Sequence, residues 1–107
     1  MKTDLMVWPG FFGRDYEFLV FSVKKTFSPF GAVFIYASRH KNGEFEMLYI
    51  NQTDRMDMVA ANPISDFIIK EYQPSTLHVW KCPSVDDRKD VMLDLIIKHN
   101  PLGNRSG

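Results

Sequence analysis

Three histidines and one cysteine are the residues of this 107-residue chain that could bind a transition metal or attack a substrate. His40 follows a basic residue in a turn-like stretch, His78 lies in an apolar run and His99 lies near the end of the chain, a spacing that is not typical of a zinc site. Cys82 is the only cysteine, so neither an intramolecular disulfide nor a cysteine zinc site can form within the chain. We therefore expect no metal site of these residues, and we interpret Cys82 as a small apolar strand residue in a reducing, cytoplasmic setting.

Aromatic side chains are the second group with a possible chemical role, because they could stack on nucleic-acid bases. Trp8, Phe11 and Phe12 cluster near the start of the chain, and Trp80 lies in a later apolar run. Single-strand binders interleave such aromatics with basic residues, whereas this chain has 13 Lys and Arg against 13 Asp and Glu. The basic stretch at residues 39–41 is typical of a solvated hairpin tip. Nucleic-acid binding thus has no support from charge, and a protein partner or a homo-oligomer is favoured.

Runs of β-branched and aromatic residues predict the strands that would position these groups. The runs cover residues 18–23, 32–37, 45–50 and 76–82. Lys41-Asn42-Gly43 supplies turn residues that tolerate positive φ, so we expect an antiparallel hairpin over residues 32–50. Residues 1–17 show neither a strand nor a helix period and are predicted to be an irregular lead-in, and residues 105–107 a tail.

Helical spacing of apolar residues predicts two helices in the second half of the chain. The first covers residues 64–72 and follows Pro63, a residue suited to a first helical position. The second begins near Ser84, which lies three residues before Asp87 in a capping arrangement, and it ends before Pro101. Residues 54–61 have helical composition and are expected to form a further short helix.

The number and order of these elements indicate one domain over residues 1–107. The expected fold class is α/β (α+β), a small antiparallel sheet of three to four strands flanked by helices. No apolar run approaches the roughly 20 residues that a membrane-spanning helix needs, so we expect no membrane association.

Residues 31–36 (GAVFIY) and 48–53 (LYINQT) flank the predicted hairpin turn. Together they resemble the paired motifs that name the GIY-YIG nuclease superfamily, and the resemblance extends from about Gly31 to Asn104 in the family's order. It implies a small antiparallel sheet of about three strands flanked by helices, in agreement with the segments read individually. Further similarity lies in residues 76–79, Arg88, residues 94–96 and the Asn-Pro-x-x-Asn tail at 100–104.

The resemblance also implies where catalytic groups would lie. In active members, two motif tyrosines and an arginine position a water and the phosphate, while a glutamate on the last helix holds one divalent metal that offsets the charge of the phosphodiester. Carried over, the first tyrosine falls on Phe34, the arginine on Val59 and the glutamate on Met92. The second tyrosine is retained as Tyr49, and the motif glycine becomes Asn51. Because a thioether is a poor ligand for Mg²⁺ or Mn²⁺, the resemblance implies that cleavage has been lost.

Three hypotheses follow. The favoured one is a catalytically degenerate GIY-YIG-fold domain without a cofactor, a pseudoenzyme that acts as a protein-binding or regulatory module, for example of nucleic-acid-processing machinery. The alternative is a divergent endonuclease that hydrolyses DNA phosphodiesters with Mg²⁺ or Mn²⁺. The third is an unrelated α/β domain whose motif likeness is chance. The divergent nuclease would use Tyr36, Tyr49, Arg55 and an acid from among Asp90, Asp94 and Glu46.

Overall fold

The strands of this chain form a single sheet, as shown by a computed structural model that describes residues 4–105. The strand order is β1-β2-β5-β3-β4, and every neighbouring pair is antiparallel. The α+β class is therefore confirmed, with one strand more than the upper end of the expected count. The elements are β1 (Asp4–Pro9), β2 (Asp15–Ser22), β3 (Ala32–Arg39), β4 (Phe45–Thr53), α1 (Pro63–Tyr72), β5 (Thr76–Lys81) and α2 (Val85–His99), with single 3-10 turns at Met56–Met58 and Leu102–Asn104.

The predicted hairpin over residues 32–50 is confirmed as β3 and β4. Gly43 in its turn has a φ of 87°, a conformation that suits glycine, and the backbone N–H of His40 donates to the carbonyl of Glu44 at 2.8 Å. Tyr36 lies directly opposite Tyr49, and the register shifts just after this pair. The two motif strands are thus adjacent in the sheet.

Successive residues of β3 point to opposite faces of the sheet, and a helix covers each face. Val33 and Ile35 belong to a core cluster that includes Leu95 of α2. Phe34 belongs to a second cluster that includes Ile68 of α1. Because both faces are covered, β3 is apolar without the alternation of a half-exposed strand. A consequence for function is that α2 and the side chain of Phe34 lie on opposite faces.

The prediction of an irregular lead-in over residues 1–17 is wrong for its described part. β1 pairs with β2 along its whole length, and only the turn between them is irregular. Both faces of β1 carry apolar side chains: Leu5 and Val7 are exposed while Trp8 is buried. Alternation of polar and apolar residues is therefore absent, and the strand period is hidden. Residues 1–3 and, in the predicted tail, residues 106–107 lie outside the described part.

Local capping bonds explain where the two helices begin, as predicted. The Asn62 side chain accepts from the N–H of Ile64 at 2.8 Å, with Pro63 at the first helical position. Ser84 Oγ accepts from the N–H of Asp87 at 3.2 Å at the start of α2. Between residues 4 and 105 neither helix has both the length and the apolar composition of a membrane span.

The short helix expected over residues 54–61 is wrong except for the single 3-10 turn. Thr53 Oγ1 accepts from the N–H of Arg55 at 3.0 Å, a local bond that competes with helix formation. The N–H of Met56 donates at 2.9 Å to the carbonyl of Phe30 in another segment. Tertiary bonding thus replaces the helical pattern that composition favoured.

Candidate functional site

A small cleft of about 100 Å³ lies beside the second motif strand, on the face covered by α1. Phe34 of β3 and Tyr49 of β4 contribute to its floor, while Val59 and the start of α1 form the opposite wall. Its polar groups are neutral amides and hydroxyls, including those of Asn51, Asn62 and Ser65. None of the described residues that line the cleft carries a charge. Four of the family-motif positions, Phe34, Tyr49, Asn51 and Val59, therefore meet in one uncharged site.

The two tyrosines considered as catalytic lie side by side, and their hydroxyls bond to the neutral side chains of Ser65 and Asn51. Burial raises the pKa of Tyr36, and a hydrogen bond with Ser65 only partly opposes that shift. Burial also raises the pKa of Tyr49, whose oxygen accepts from Asn51 Nδ2 at 2.8 Å. The ring of Phe34 lies 6.3 Å from the ring of Tyr49 and 6.0 Å from that of Tyr36. The three rings pack together as part of the core, and neither phenol is activated for proton transfer.

Asn51, at the position of the motif glycine, has both ends of its amide occupied within the chain. Its Nδ2 donates to Tyr49 and its Oδ1 accepts from the N–H of Gln52 at 2.8 Å. The side chain therefore fixes the direction of the Tyr49 hydroxyl, leaving the phenolic proton as the free donor.

Arg55 does not reach the cleft as a free cation. Its Nε and Nη2 donate to the two carboxylate oxygens of Asp57 at 3.1 and 2.6 Å, and its side chain is largely exposed. The bond from Arg55 lowers the pKa of Asp57. The position to which the family arginine carries over, Val59, is a buried apolar residue.

Met92 and two of the candidate acids lie on α2, which packs on the other face of the sheet. Met92 is half-buried against the cluster of Val33 and Leu95. Asp94 is buried and accepts from Tyr16 Oη at 2.6 Å and from the N–H of Phe12 at 2.9 Å. Burial by itself would raise the pKa of Asp94, but these bonds outweigh it and the pKa lies below its usual value. The carboxylate thus anchors the β1–β2 turn.

The two remaining acids also lie outside the cleft. Asp90 lines a separate groove with Tyr16 and Trp80, and Glu46 is bonded to His40 at 3.2 Å beside the hairpin turn. The structure therefore brings Tyr36 and Tyr49 together but does not bring Arg55 or any candidate acid to them.

Arg88 is a buried structural residue beside the second motif strand, outside the lining of the cleft. Its side chain is almost fully buried, and its guanidinium donates to the carbonyls of Cys82 and Pro83 at 2.8 and 3.0 Å. It also donates to Gln52 Oε1 at 3.0 Å and to the carboxylate of Asp54. Arg88 thus joins α2 to the end of the second motif strand. Its position three residues before Val91 and seven before Leu95, on the buried stripe of α2, is the signal that could have revealed it.

The contacts of Arg88 also explain why a glycine occupies position 31 in the first motif. A side-chain carbon on Gly31 would overlap the guanidinium of Arg88 and lie 2.9 Å from the carbonyl oxygen of Cys82. Gly31 therefore leaves the space through which Arg88 reaches its acceptors.

Asn104, the last residue of the tail motif, acts on the free edge of β4. Its Oδ1 accepts from the N–H of Ile50 and its Nδ2 donates to the carbonyl of the same residue, both at 2.8 Å. The side-chain amide thus bonds to Ile50 as a neighbouring strand would.

The histidines and the cysteine do not gather into a site. His78 is fully buried, His40 is exposed and His99 is half-buried, and the three form different hydrogen bonds. Cys82 is buried. Within residues 4–105, no group of three or more His, Cys, Asp or Glu side chains is placed to hold a metal ion.

Comparison with protein-family models, with curated proteins and with solved structures gives no match to this chain. The similarity of the motif segments to the GIY-YIG superfamily therefore stays a prediction.

Proposed function

We propose that this chain is a catalytically degenerate GIY-YIG-like domain that works as a protein-binding module. The observation that carries the proposal is the uncharged lining of the cleft at Phe34, Tyr49 and Val59. Hydrolysis of a phosphodiester needs a cation to offset the negative charge that develops in the transition state. A cleft without a cation, and without a carboxylate to hold one, is unsuited to that reaction.

The rim of the cleft supports a protein as the ligand. Met58 and Ile64 at the rim are 54% and 51% exposed, and Phe67, one turn along α1 from Ile64, is 56% exposed. Large exposed apolar side chains that adjoin a neutral polar cleft are typical of surfaces that bind other proteins.

Hydrogen bonding within the cleft favours a ligand that presents carbonyl oxygens. Gln52 Oε1 accepts from Arg88, and Asn62 Oδ1 accepts from Ile64, so the acceptor ends of both amides are occupied. Their NH₂ groups and the Tyr49 hydroxyl remain as donors. A peptide segment with an apolar side chain against Met58 and Ile64 would match these donors with its backbone carbonyls.

The biological setting that we propose is the cytoplasm, in keeping with a single buried thiol and no disulfide. There the domain would regulate a protein partner, and the motif resemblance favours a partner from nucleic-acid-processing machinery. This choice of partner is an analogy from fold to function.

Site-directed photo-cross-linking tests the proposal. A photoreactive residue at position 64 is expected to form a discrete protein adduct in cells that contain the native partners. The same residue at position 93 is a matched control, because Leu93 is 57% exposed but lies on α2, away from the cleft. The adduct at position 64 should disappear with Phe67→Asp and persist with Leu102→Asp. Equal adducts at positions 64 and 93, or none at position 64, would contradict the proposal.

A further inference from the structure

The two edges of the sheet differ in whether their outward backbone groups are hydrogen-bonded. β1 and β4 are the edge strands, and the amide of Asn104 bonds to both backbone groups of Ile50 on β4. No strand within residues 4–105 pairs with the outer side of β1. An unpaired row of backbone N–H and C=O groups is a template for another strand, and monomeric proteins usually protect it with charges, proline or a covering segment.

β1 has little of that protection. Asp4 at its start is its only charged residue, and Pro9 stands at its end. Leu5 and Val7 are 60% and 44% exposed, and Leu19, the neighbour of Leu5 on β2, is 42% exposed. These three side chains form an apolar band on one face of the edge, and such a band favours a paired state over a solvated one.

We propose that two copies of this chain associate by antiparallel pairing of β1 with β1, with Met6 opposite Met6 of the second copy. If a two-fold axis perpendicular to the sheet relates the two copies, each face of the sheet continues across the junction only when even-numbered residues oppose even-numbered ones and odd-numbered residues oppose odd-numbered ones. In this register Leu5 lies opposite Val7 of the second copy, and Asp4 lies opposite Trp8. No two like charges of the strands are opposed.

The neighbouring strands complement each other in the same register. On the face of the sheet that α2 covers, Phe18 lies beside Met6. The row of side chains across the junction is therefore Phe18, Met6, Met6 and Phe18, and it extends the buried core from one copy to the other. On the opposite face the row is Leu19, Leu5, Val7 and Glu17. Glu17 of one copy and Glu17 of the other lie in different rows, at opposite ends of the junction, so these two charges do not repel each other across it.

The β1 contact closes at two copies, because an isologous contact uses the open β1 edge of both copies. On the other edge of each copy, Asn104 already bonds to both backbone groups of Ile50 in the middle of β4. A foreign extended segment could occupy the same edge, and the experiment below distinguishes it. The cleft is lined by residues of β3, β4, α1 and the segment between β4 and α1, and by none of β1, so this inference is independent of the proposed function.

Sedimentation equilibrium of the full chain over a dilution series tests the inference. The wild-type chain is expected to approach twice the mass of one chain as its concentration rises, and to dissociate on dilution. Leu5→Lys with Val7→Lys places lysines opposite lysines and should give the monomer mass throughout, with an unchanged circular dichroism spectrum because both side chains are already exposed. The control, Phe67→Lys with Leu93→Lys, adds the same charge elsewhere and should leave the dimer intact.

A charge-swapped pair tests the register. The variant Leu5→Glu with Val7→Glu should also be monomeric alone, and mixing it with the double-lysine variant should give a mixed dimer in native mass spectrometry, because each lysine then faces a glutamate. A wild-type chain that stays monomeric would overturn the inference. The edge of β1 would then either bind an extended segment of another protein or remain unpaired. A dimer that resists the lysines, or the absence of a mixed dimer, would overturn the register. None of these outcomes alters the cross-linking test of the cleft.

Discussion

Trp8 Nε1 donates a 3.0 Å hydrogen bond to Nδ1 of His78, across 70 residues of sequence. An indole N–H can only donate, so Nδ1 must accept and the imidazole is neutral with its proton on Nε2. That nitrogen lies 2.9 Å from Thr76 Oγ1. The bond joins the edge strand β1 to β5 over the intervening β2, and His78 is fully buried beneath it.

This buried neutral histidine predicts acid sensitivity of the fold. Burial lowers the pKa of His78 from 6.5 to about 4. Above pH 6.5 both the folded and the unfolded chain carry the neutral ring, whereas below it the unfolded chain binds the proton first. The free energy of unfolding should therefore fall as the pH drops from 6.5 towards 4, by up to about 3 kcal/mol from this group. Urea unfolding at a series of pH values measures the fall.

Two histidine variants separate this effect from general acid destabilisation. His78→Gln should flatten the profile between pH 6.5 and 4, although His99, whose pKa burial also lowers, retains a part of it. His40→Gln, at the exposed hairpin turn, should leave the wild-type profile in place. An unchanged slope in the His78 variant would show that other groups cause the loss.

Arg88→Met is expected to destabilise the fold by about 3 kcal/mol, because the buried carbonyl of Cys82 and the part-buried carbonyl of Pro83 lose their donor. Asp54→Asn tests the other end of the ion pair. The Asp54 side chain is 83% exposed, so its loss should cost about 1 kcal/mol or less. Chemical denaturation of both variants measures the difference, and equal losses would contradict a role for Arg88 that depends on carbonyl anchoring.

Tyr16 and Asp94 should show energetic coupling. Burial and the bond to Asp94 raise the pKa of Tyr16 to about 12, so the phenol remains a donor at neutral pH. A double-mutant cycle with Tyr16→Phe and Asp94→Ala should give a coupling of about 1 to 2 kcal/mol, as expected for a hydrogen bond to a charged group. The four unfolding curves of the cycle provide it. A coupling near zero would mean that Asp94 acts only through the turn backbone.

Asn104→Asp should open the edge of β4. The substitution replaces the NH₂ donor with an oxygen that faces the carbonyl of Ile50, at an expected cost of about 1 to 2 kcal/mol. Light scattering should then detect species larger than those of the wild type, because the backbone of Ile50 becomes available to other strands. Arg105→Ala, the adjacent control, should not produce them. No increase in mass for Asn104→Asp would contradict the capping role.

The elements with local signals could be predicted from the sequence. The hairpin of β3 and β4 depends on turn residues such as Gly43, and the starts of the helices depend on Asn62 and Ser84, each of which acts within a few residues. β1 could not be predicted in this way. Its one buried aromatic, Trp8, is stabilised by His78, a distant partner that no local pattern reveals.

The candidate site was only partly predictable for the same reason. Resemblance located Phe34, Tyr49 and Val59, and the structure places them in one cleft. Met92 packs on the face of the sheet opposite to the cleft, because α2 covers that face. Helical spacing alone does not specify which face of the sheet a helix covers. The sequence indicates Arg88 only as a motif residue, because its acceptors come from segments that meet in the folded chain.

The most direct test of the central claim, that the cleft at Tyr49 does not bind a catalytic metal, is a Mg²⁺ and Mn²⁺ titration followed by NMR, with a plasmid-nicking assay on the same sample. We predict no saturable perturbation of the amides of Tyr49, Gln52, Arg55 or Met92 by either metal, and no nicking. Saturable, site-localised binding together with metal-dependent nicking that Tyr49→Phe abolishes would contradict the account and establish a divergent nuclease.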